Sequence, residues 1–209
     1  LISHIASFKM PVILSTGMQT INSIAASVNI LTDANVPFAL LECTNLYPSP
    51  PKMVSLAGIL ELKKAFPKAL VGFSDHSIGP EMALAAVALG ACIIERHFTD
   101  SRYRNGPDIS CSMDPSELRY LVERSKEIHI AINNNKIRST EEEKVYRFAR
   151  ASVVADKILR AGTILSRSDI WVRRPGSGPI AAFDYEKLIG KKLKVEKKIN
   201  EFIDWADIE

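Results

Sequence analysis

The sequence lacks the features that mark several common classes of protein. No apolar run approaches the length needed to cross a membrane, and the 27 basic residues are nearly balanced by 24 acidic ones. No dense basic patch with interleaved aromatic residues occurs, so nucleic-acid binding is not indicated. Neither a GxGxxG nor a Walker pattern is present, which argues against a nucleotide-binding domain.

Cysteine is also scarce. The three residues, Cys43, Cys92 and Cys111, are odd in number and lie in or beside apolar runs, which is typical of reduced thiols. We therefore expect a cytoplasmic protein. The remaining composition is ordinary for a globular protein, with 46% hydrophobic and 24% charged residues over a length of 209, enough for one large domain or two small ones.

Two segments, residues 70–76 and 93–100, begin apolar and end in polar or charged residues, which is the pattern of buried strands. Between them, residues 80–90 predict a short helix closed by glycine. A strand, a helix and a second strand make a parallel pair with a right-handed crossover. We therefore expect the polar ends of both strands to meet at one rim of a parallel sheet, where α/β proteins place their chemistry.

This rim would carry two histidines. Alternate side chains of a strand share a face, so Ser74 lies with His76, and Glu95 lies with His97. For either histidine alone, a buried ring bonded to the backbone is the simpler interpretation, but two at matching strand ends favour metal binding or catalysis. Two imidazoles among oxygen groups suit a divalent ion with open positions, such as Mn²⁺ or Co²⁺. Cys92 has the wrong parity to join His97 in a closed zinc site.

The rest of the chain repeats the same unit. Strand patterns at residues 11–15 and 38–43, each followed by a helical pattern, bring the total to four strand–helix units before about residue 132. Such an α/β repeat is either half of an eight-stranded barrel or an open doubly wound sheet. Residues 134–148 are polar and suit a linker. Short strand candidates separated by glycine and proline then predict a small, mostly β domain over residues 149–209.

Further polar residues fit two interpretations each. Ser15, Asn45 and Tyr47 follow the first two strands, where they suit either turn chemistry or hydrogen bonding along the same rim. Arg173 and Arg174 precede a glycine-containing loop, which suits either a surface turn or contact with an anionic or polar substrate.

Several motifs together resemble the bacterial sialic acid synthases, the N-acetylneuraminate synthase family. They are Ile13-Leu14-Ser15-Thr16-Gly17-Met18, Cys43-Thr44-Asn45-Leu46-Tyr47-Pro48, Phe73-Ser74-Asp75-His76, Glu95-Arg96-His97-Phe98-Thr99-Asp100 and Gly106-Pro107-Asp108. Two later segments, Ala151-Ser152-Val153-Val154-Ala155 and Arg174-Pro175-Gly176, resemble the antifreeze-like (SAF) domain that follows the barrel in that family. The resemblance implies the C-terminal half of a TIM (β/α)8 barrel over residues 1–133, a linker over 134–148, and a β-clip SAF domain over 149–209.

The resemblance also implies a reaction and a set of residue roles. The family condenses phosphoenolpyruvate with N-acetylmannosamine and water, giving N-acetylneuraminate and phosphate, and works as a domain-swapped homodimer. By this resemblance the catalytic groups are His76, His97 and Glu95, and the two histidines bind the divalent ion, most often Mn²⁺, with Mg²⁺ or Co²⁺ as alternatives. The implied substrate contacts are Ser15, Asn45 and Ser74 for phosphoenolpyruvate, Tyr47 and Asp108 for the sugar, and Arg174 for the N-acetyl group across the dimer.

Two alternatives stay open. A legionaminate or pseudaminate synthase of the same family would differ mainly in the sugar, and a non-catalytic sugar- or metal-binding fragment would show the same residues. The chain opens inside a helical pattern at Leu1, whereas the family has four further strands before Pro11, with phosphate-binding lysines and a catalytic glutamate. We therefore expect the C-terminal part of a synthase, inactive by itself.

Overall fold

The computed structural model describes residues 1–209 and divides into two compact units, Leu1–Asn134 and Asn135–Glu209. The elements of the first unit are α1 (Ile2–Ser7), β1 (Val12–Ser15), α2 (Ile21–Asp33), β2 (Phe38–Cys43), α3 (Leu56–Ala65), β3 (Leu70–Asp75), α4 (Glu81–Ala88), β4 (Ile94–Arg96) and α5 (Pro115–Ile132). All four strands are parallel and follow one another in the order β1-β2-β3-β4. No helix combines the length and apolar character needed to span a membrane.

The core of the first unit lies between the sheet and its helices. Leu40 and Phe73 from neighbouring strands pack with Ile59 and Leu62 of α3, and each of these side chains is almost fully buried. Both faces of a parallel strand are normally covered, which explains the continuous apolar runs in β2 and β3. The polar residues are therefore confined to the strand ends.

Two helices begin at caps that the sequence already contains. Thr20 and Ser23 form a capping box at the start of α2, each side chain accepting a hydrogen bond from the other residue's backbone N–H. Asp114 and Glu117 form the equivalent box at the start of α5. These bonds satisfy backbone donors that a helix start otherwise leaves unpaired, and they fix where the preceding loops end.

The register of the sheet places the rim residues. Cys43 pairs with Ser74, and Ser74 pairs with Glu95, so these three residues form one row across β2, β3 and β4. Side chains in one row of a parallel sheet share a face, and that face returns two residues further along each strand. His76 and His97, two residues further along the chain, therefore lie on the same face as Ser74 and Glu95.

The second unit contains α6 (Glu143–Ala149), β5 (Ser152–Ala155) and β6 (Ile170–Arg173), and its two strands are antiparallel. Its own core is fully buried and includes Val153, Leu165, Ile180, Leu188, Leu193 and Ile203. Residues 163–165 and 192–195, two of the short strand candidates of this unit, form only single bridges, Ile164 to Lys192 and Leu193 to Ile208. Gly162 and Gly190 have φ values of 90° and 84° next to these bridges, so the chain turns before a longer ladder can form.

Candidate active site

Two imidazoles and a phenol meet beyond the ends of β2, β3 and β4. The ring centroids of His76 and His97 lie 5.2 Å apart. The Tyr47 ring lies 4.2 Å from the His76 ring and 5.6 Å from the His97 ring. Partial burial, followed by the nearby Cys43 and Asp108, raises the pKa of the Tyr47 phenol above its usual value, so its hydroxyl remains a hydrogen-bond donor at neutral pH.

The orientation of the His76 ring is fixed by a backbone group. Its Nδ1 lies 3.0 Å from the carbonyl oxygen of Thr44, in the loop that follows β2. A carbonyl oxygen only accepts, so Nδ1 carries the proton and Nε2 keeps a free lone pair. His76 itself is buried, which holds the ring in this position. The arrangement leaves one imidazole nitrogen available to a ligand.

His97 is more open than His76. Its Nδ1 lies 3.8 Å from Asp108 Oδ2, and both side chains are 36% exposed. That separation is longer than a direct hydrogen bond, so the contact is electrostatic. Asp108 has a φ of 64°, a left-handed conformation that aspartate tolerates better than most residues. The loop before α5 thereby turns its carboxylate toward the histidine.

Glu95 and Ser74, two residues before His97 and His76, lie side by side on the face that carries the histidines. The Ser74 hydroxyl donates a 2.7 Å hydrogen bond to Glu95 Oε1. Ser74 is buried at the end of β3, whereas Glu95 is exposed. This contact agrees with the strand alternation that predicts both residues on the histidine-bearing face. Glu95 therefore presents a carboxylate that can accept further hydrogen bonds beside the imidazoles.

Asn45 is held from two sides. The Cys43 thiol donates to Asn45 Oδ1 at 2.9 Å, which turns the amide NH₂ away from the sulfur. Gly17, just beyond β1, leaves room for the amide, because a Cβ at that position would lie 2.0 Å from the same oxygen. The sequence pattern does not predict either contact. The first joins residues two apart in the chain, and the second arises because the turn after β1 approaches the exit of β2.

Of the two remaining predicted residues, one lies at the rim and the other lies in the second unit. Ser15 is the last residue of β1 and is exposed, at the same end of the sheet as the polar rim. Arg174 belongs to the second unit, where it is exposed in the loop after β6. The N–H of Gly176 donates to the carbonyl of Arg147 in α6 at 2.8 Å, so this loop is tied to the preceding helix.

The residues fit a divalent ion only as a two-ligand site. No group of three His, Cys, Asp or Glu side chains converges closely enough to hold a metal. His76 nevertheless has the usual arrangement of a metal-binding histidine, one nitrogen bonded to a backbone carbonyl and the other free. His76 and His97 would supply the protein ligands, and oxygen atoms of water or substrate would complete the coordination.

Sequence reasoning missed a buried ion pair behind the rim. Arg96 lies between Glu95 and His97 in the chain but faces the opposite side of the sheet, where its Nε is 3.5 Å from Asp75 Oδ2. The two side chains are 2% and 0% exposed. An arginine between Glu95 and His97, and so on the opposite face of the strand from both, is the signal that could have revealed the pair.

Comparison with known proteins gives a consistent result for both units. Residues 1–137 match the NeuB family, and residues 150–209 match the SAF domain. The N,N'-diacetyllegionaminic acid synthase of Campylobacter jejuni is 38% identical over 206 residues, which is 97% of this chain and 61% of that protein. The enzyme of the same name from Legionella pneumophila is 32% identical over 217 residues, covering 100% of this chain and 60% of that protein. The chain thus spans about three fifths of the length of these relatives.

A solved structure extends the likeness to the fold. The N-acetylneuraminic acid (sialic acid) synthetase of Leptospira borgpetersenii, in complex with citrate, superposes with a TM-score of 0.64 at 34% identity. The match covers 69% of this chain and 50% of that one. The parallel sheet and its helices are therefore the C-terminal half of a barrel, as predicted, and not an open doubly wound sheet.

Proposed function

Because the chain belongs to the NeuB family and carries a SAF domain, we propose that the protein condenses phosphoenolpyruvate with a 2-acetamido sugar and water. The products would be a nine-carbon acidic sugar and phosphate. The observation that carries the proposal is the pair of imidazoles, whose ring centroids lie 5.2 Å apart, next to the Ser74–Glu95 hydrogen bond. A purely structural role would not require two histidines and a carboxylate on one open face.

The residues of the rim divide into two groups. Ser15, Asn45 and Ser74 lie at or just beyond the carboxyl ends of β1, β2 and β3 and offer hydroxyl and amide groups, which suit the phosphate and carboxylate of phosphoenolpyruvate. Tyr47 and Asp108 flank the histidines and suit the hydroxyl groups of a sugar. Holding the two reactants side by side removes much of the entropic barrier to joining them.

A divalent ion would complete the site. His76 and His97 would hold it, with Mn²⁺ the first candidate and Mg²⁺ or Co²⁺ the alternatives. When bound, such an ion supplies Lewis-acid polarisation of the sugar aldehyde. Glu95 accepts a hydrogen bond from Ser74 and is exposed on the same face, so it can orient an attacking water or take its proton.

The identity of the sugar separates two candidates. N-acetylmannosamine would give N-acetylneuraminate, in keeping with the motifs that resemble the sialic acid synthases. The 38% identity to a synthase of N,N'-diacetyllegionaminic acid favours a diacetamido sugar as the second candidate.

Three unpaired cysteines are consistent with a cytoplasmic protein. We also propose a domain-swapped homodimer in which Arg174 reaches the N-acetyl group in the partner's site.

A phosphate-release assay tests the proposal directly. The protein that contains this chain is incubated with phosphoenolpyruvate, Mn²⁺ and each candidate sugar, and phosphate is followed by a coupled reaction. We expect release that depends on one sugar and is lost in His97→Ala, together with Mn²⁺ binding measured by calorimetry. Phosphate release that is independent of sugar, or unchanged in His97→Ala, would contradict the assignment.

A further inference from the structure

Arg96 contacts the backbone on both sides of the turn that follows His76. Its guanidinium donates to the carbonyl oxygens of Ser77 and Gly79, while its own side chain is almost completely buried. Neither carbonyl belongs to a helix or strand, so without Arg96 both would lack a partner from regular structure. The planar fork of arginine can serve two such acceptors at once.

Asp75 completes the contact from the other side of His76. Its Oδ1 accepts the N–H of Ser77 at 2.8 Å, and its Oδ2 faces Arg96 Nε at 3.5 Å. A buried charge is tolerated only when it is paired, so the two side chains require each other. Together they hold the residues immediately before and after His76.

The other side of His76 is bonded to the loop after β2. The His76 carbonyl accepts the N–H of Ser49 at 2.9 Å, and its ring contacts the carbonyl of Thr44. The backbone of His76 is thus fixed between this loop and Arg96. Because Arg96 ends β4 and directly precedes His97, one residue links the positions of both imidazoles.

We propose that Arg96, neutralised by Asp75, is a positioning residue that sets the orientation of the His76 ring relative to His97. Its side chain lies on the opposite face of the sheet from the two histidines, so it acts only through the turn that follows His76. The expected effect of Arg96 on metal affinity rests on the proposed function, whereas its effect on the orientation of the His76 ring does not. Lysine would keep the charge but could not bond both carbonyls in the same geometry.

Two measurements on Arg96→Lys test this inference in the protein that contains this chain. Imidazole nitrogen NMR, in metal-free protein at a pH where the histidines are neutral, reports which ring nitrogen of His76 carries the proton. We expect one tautomer in the wild-type protein and a mixture in Arg96→Lys. Calorimetric titration should show Mn²⁺ affinity falling by about ten- to a hundredfold, the usual effect of losing a group that orients a metal ligand.

Two controls separate positioning from general destabilisation. Ser77→Ala alters the same turn but leaves its carbonyl in place, and the hydroxyl it removes has no hydrogen-bond partner. Ile59→Ala lowers stability by opening a cavity in the core, away from the rim. We expect both variants to keep the single His76 tautomer and the wild-type Mn²⁺ affinity.

The outcomes are distinguishable. A single tautomer and unchanged affinity in Arg96→Lys would overturn the inference. Absence of Mn²⁺ binding by the wild-type protein would contradict the proposed metal site. The tautomer of His76, measured by NMR, would then be the only test of the role of Arg96. If Arg96→Lys does not fold, Asp75→Asn combined with Arg96→Gln removes both charges together and leaves a side chain too short to bond both carbonyls, so the same two measurements apply.

Discussion

Gly17 determines where the side-chain amide of Asn45 can lie, because it has no side chain of its own. A Cβ there would lie 2.0 Å from Asn45 Oδ1 and 2.7 Å from its Cγ, so Gly17→Ala must displace the amide. If Asn45 contacts phosphoenolpyruvate, we expect the KM for phosphoenolpyruvate to rise about ten- to a hundredfold, the cost of one hydrogen bond to a charged group. Steady-state kinetics with each substrate varied in turn would measure this.

Gly106→Ala is the matched control for Gly17→Ala. A Cβ at Gly106 would meet only Ile109, at 3.8 Å, and needs no displacement. We expect its kinetics to stay close to those of the wild type. Equal effects of the two substitutions would show that the loss comes from backbone flexibility and not from the position of Asn45.

Arg174 allows a second prediction for a single residue. It is exposed in the second unit, so Arg174→Ala should leave the fold intact. If Arg174 contacts the N-acetyl group as proposed, losing that hydrogen bond should raise the KM for the sugar about ten- to a hundredfold and leave that for phosphoenolpyruvate nearly unchanged. Arg160→Ala removes another exposed arginine of the same unit and serves as the control. A parallel rise in both KM values would argue against a sugar contact.

At the scale of elements, the contact of β2 with α3 encloses a carboxyl group. Burial, followed by the like charge of Glu61, raises the pKa of Glu42 to about 7. Gly58 of α3 makes room for this side chain, since a Cβ there would lie 2.5 Å from Glu42 Oε2. The folded protein therefore binds a proton at Glu42 that the unfolded chain releases at lower pH.

This packing predicts a pH-dependent stability. Between the usual pKa of glutamate and about 7, the folded state binds more protons at Glu42 than the unfolded state, so stability falls as the pH rises through this range. Glu42→Gln should remove the penalty and stabilise the protein by about 1 kcal/mol at pH 8, allowing for solvent screening, with little effect near pH 4. Urea unfolding at both pH values measures this. A difference that does not change with pH would contradict the raised pKa.

The elements themselves were largely readable from the sequence. β2 has the bounds that its sequence pattern predicts, residues 38–43, and Thr20 and Asp114 mark the starts of their helices because capping is a local interaction. Alternation also places Ser74 on the face of His76 and Glu95 on that of His97, and the register of β3 and β4 then brings Ser74 and Glu95 together.

The contacts that the sequence could not predict are those between distant segments. The bond from His76 to the Thr44 carbonyl involves a backbone atom, which carries no sequence signal. The approach of Gly17 to Asn45 depends on how two loops fold over the rim, and the single bridges of the second unit depend on where its turns leave the chain. Alternation, capping and apolar runs describe neighbours along the chain, and these contacts lie outside their range.

At the scale of the whole molecule, each unit has a core of its own. The buried cluster that contains Leu188 lies entirely within the second unit, and the one that contains Leu62 lies within the first. Leu188→Ala should therefore destabilise the second unit by about 2–5 kcal/mol, the usual cost of such a cavity. We expect calorimetry to show one transition moving to lower temperature in Leu188→Ala and a different one moving in Leu62→Ala. A single transition that shifts in both variants would show that the units unfold together.

The shortness of β4 has a consequence for how this protein can change over evolution. Glu95 and His97, which directly follows the strand, face the rim, while Arg96 between them faces Asp75 in the buried ion pair, so these three successive residues alternate between two environments. Inserting or deleting one residue there would exchange the two faces, placing the guanidinium on the rim and the carboxylate against the helices. The exposed loop at residues 102–107 has no such parity to preserve. Length variation among descendants of this sequence should therefore accumulate in that loop and be absent from the tripeptide Glu95-Arg96-His97.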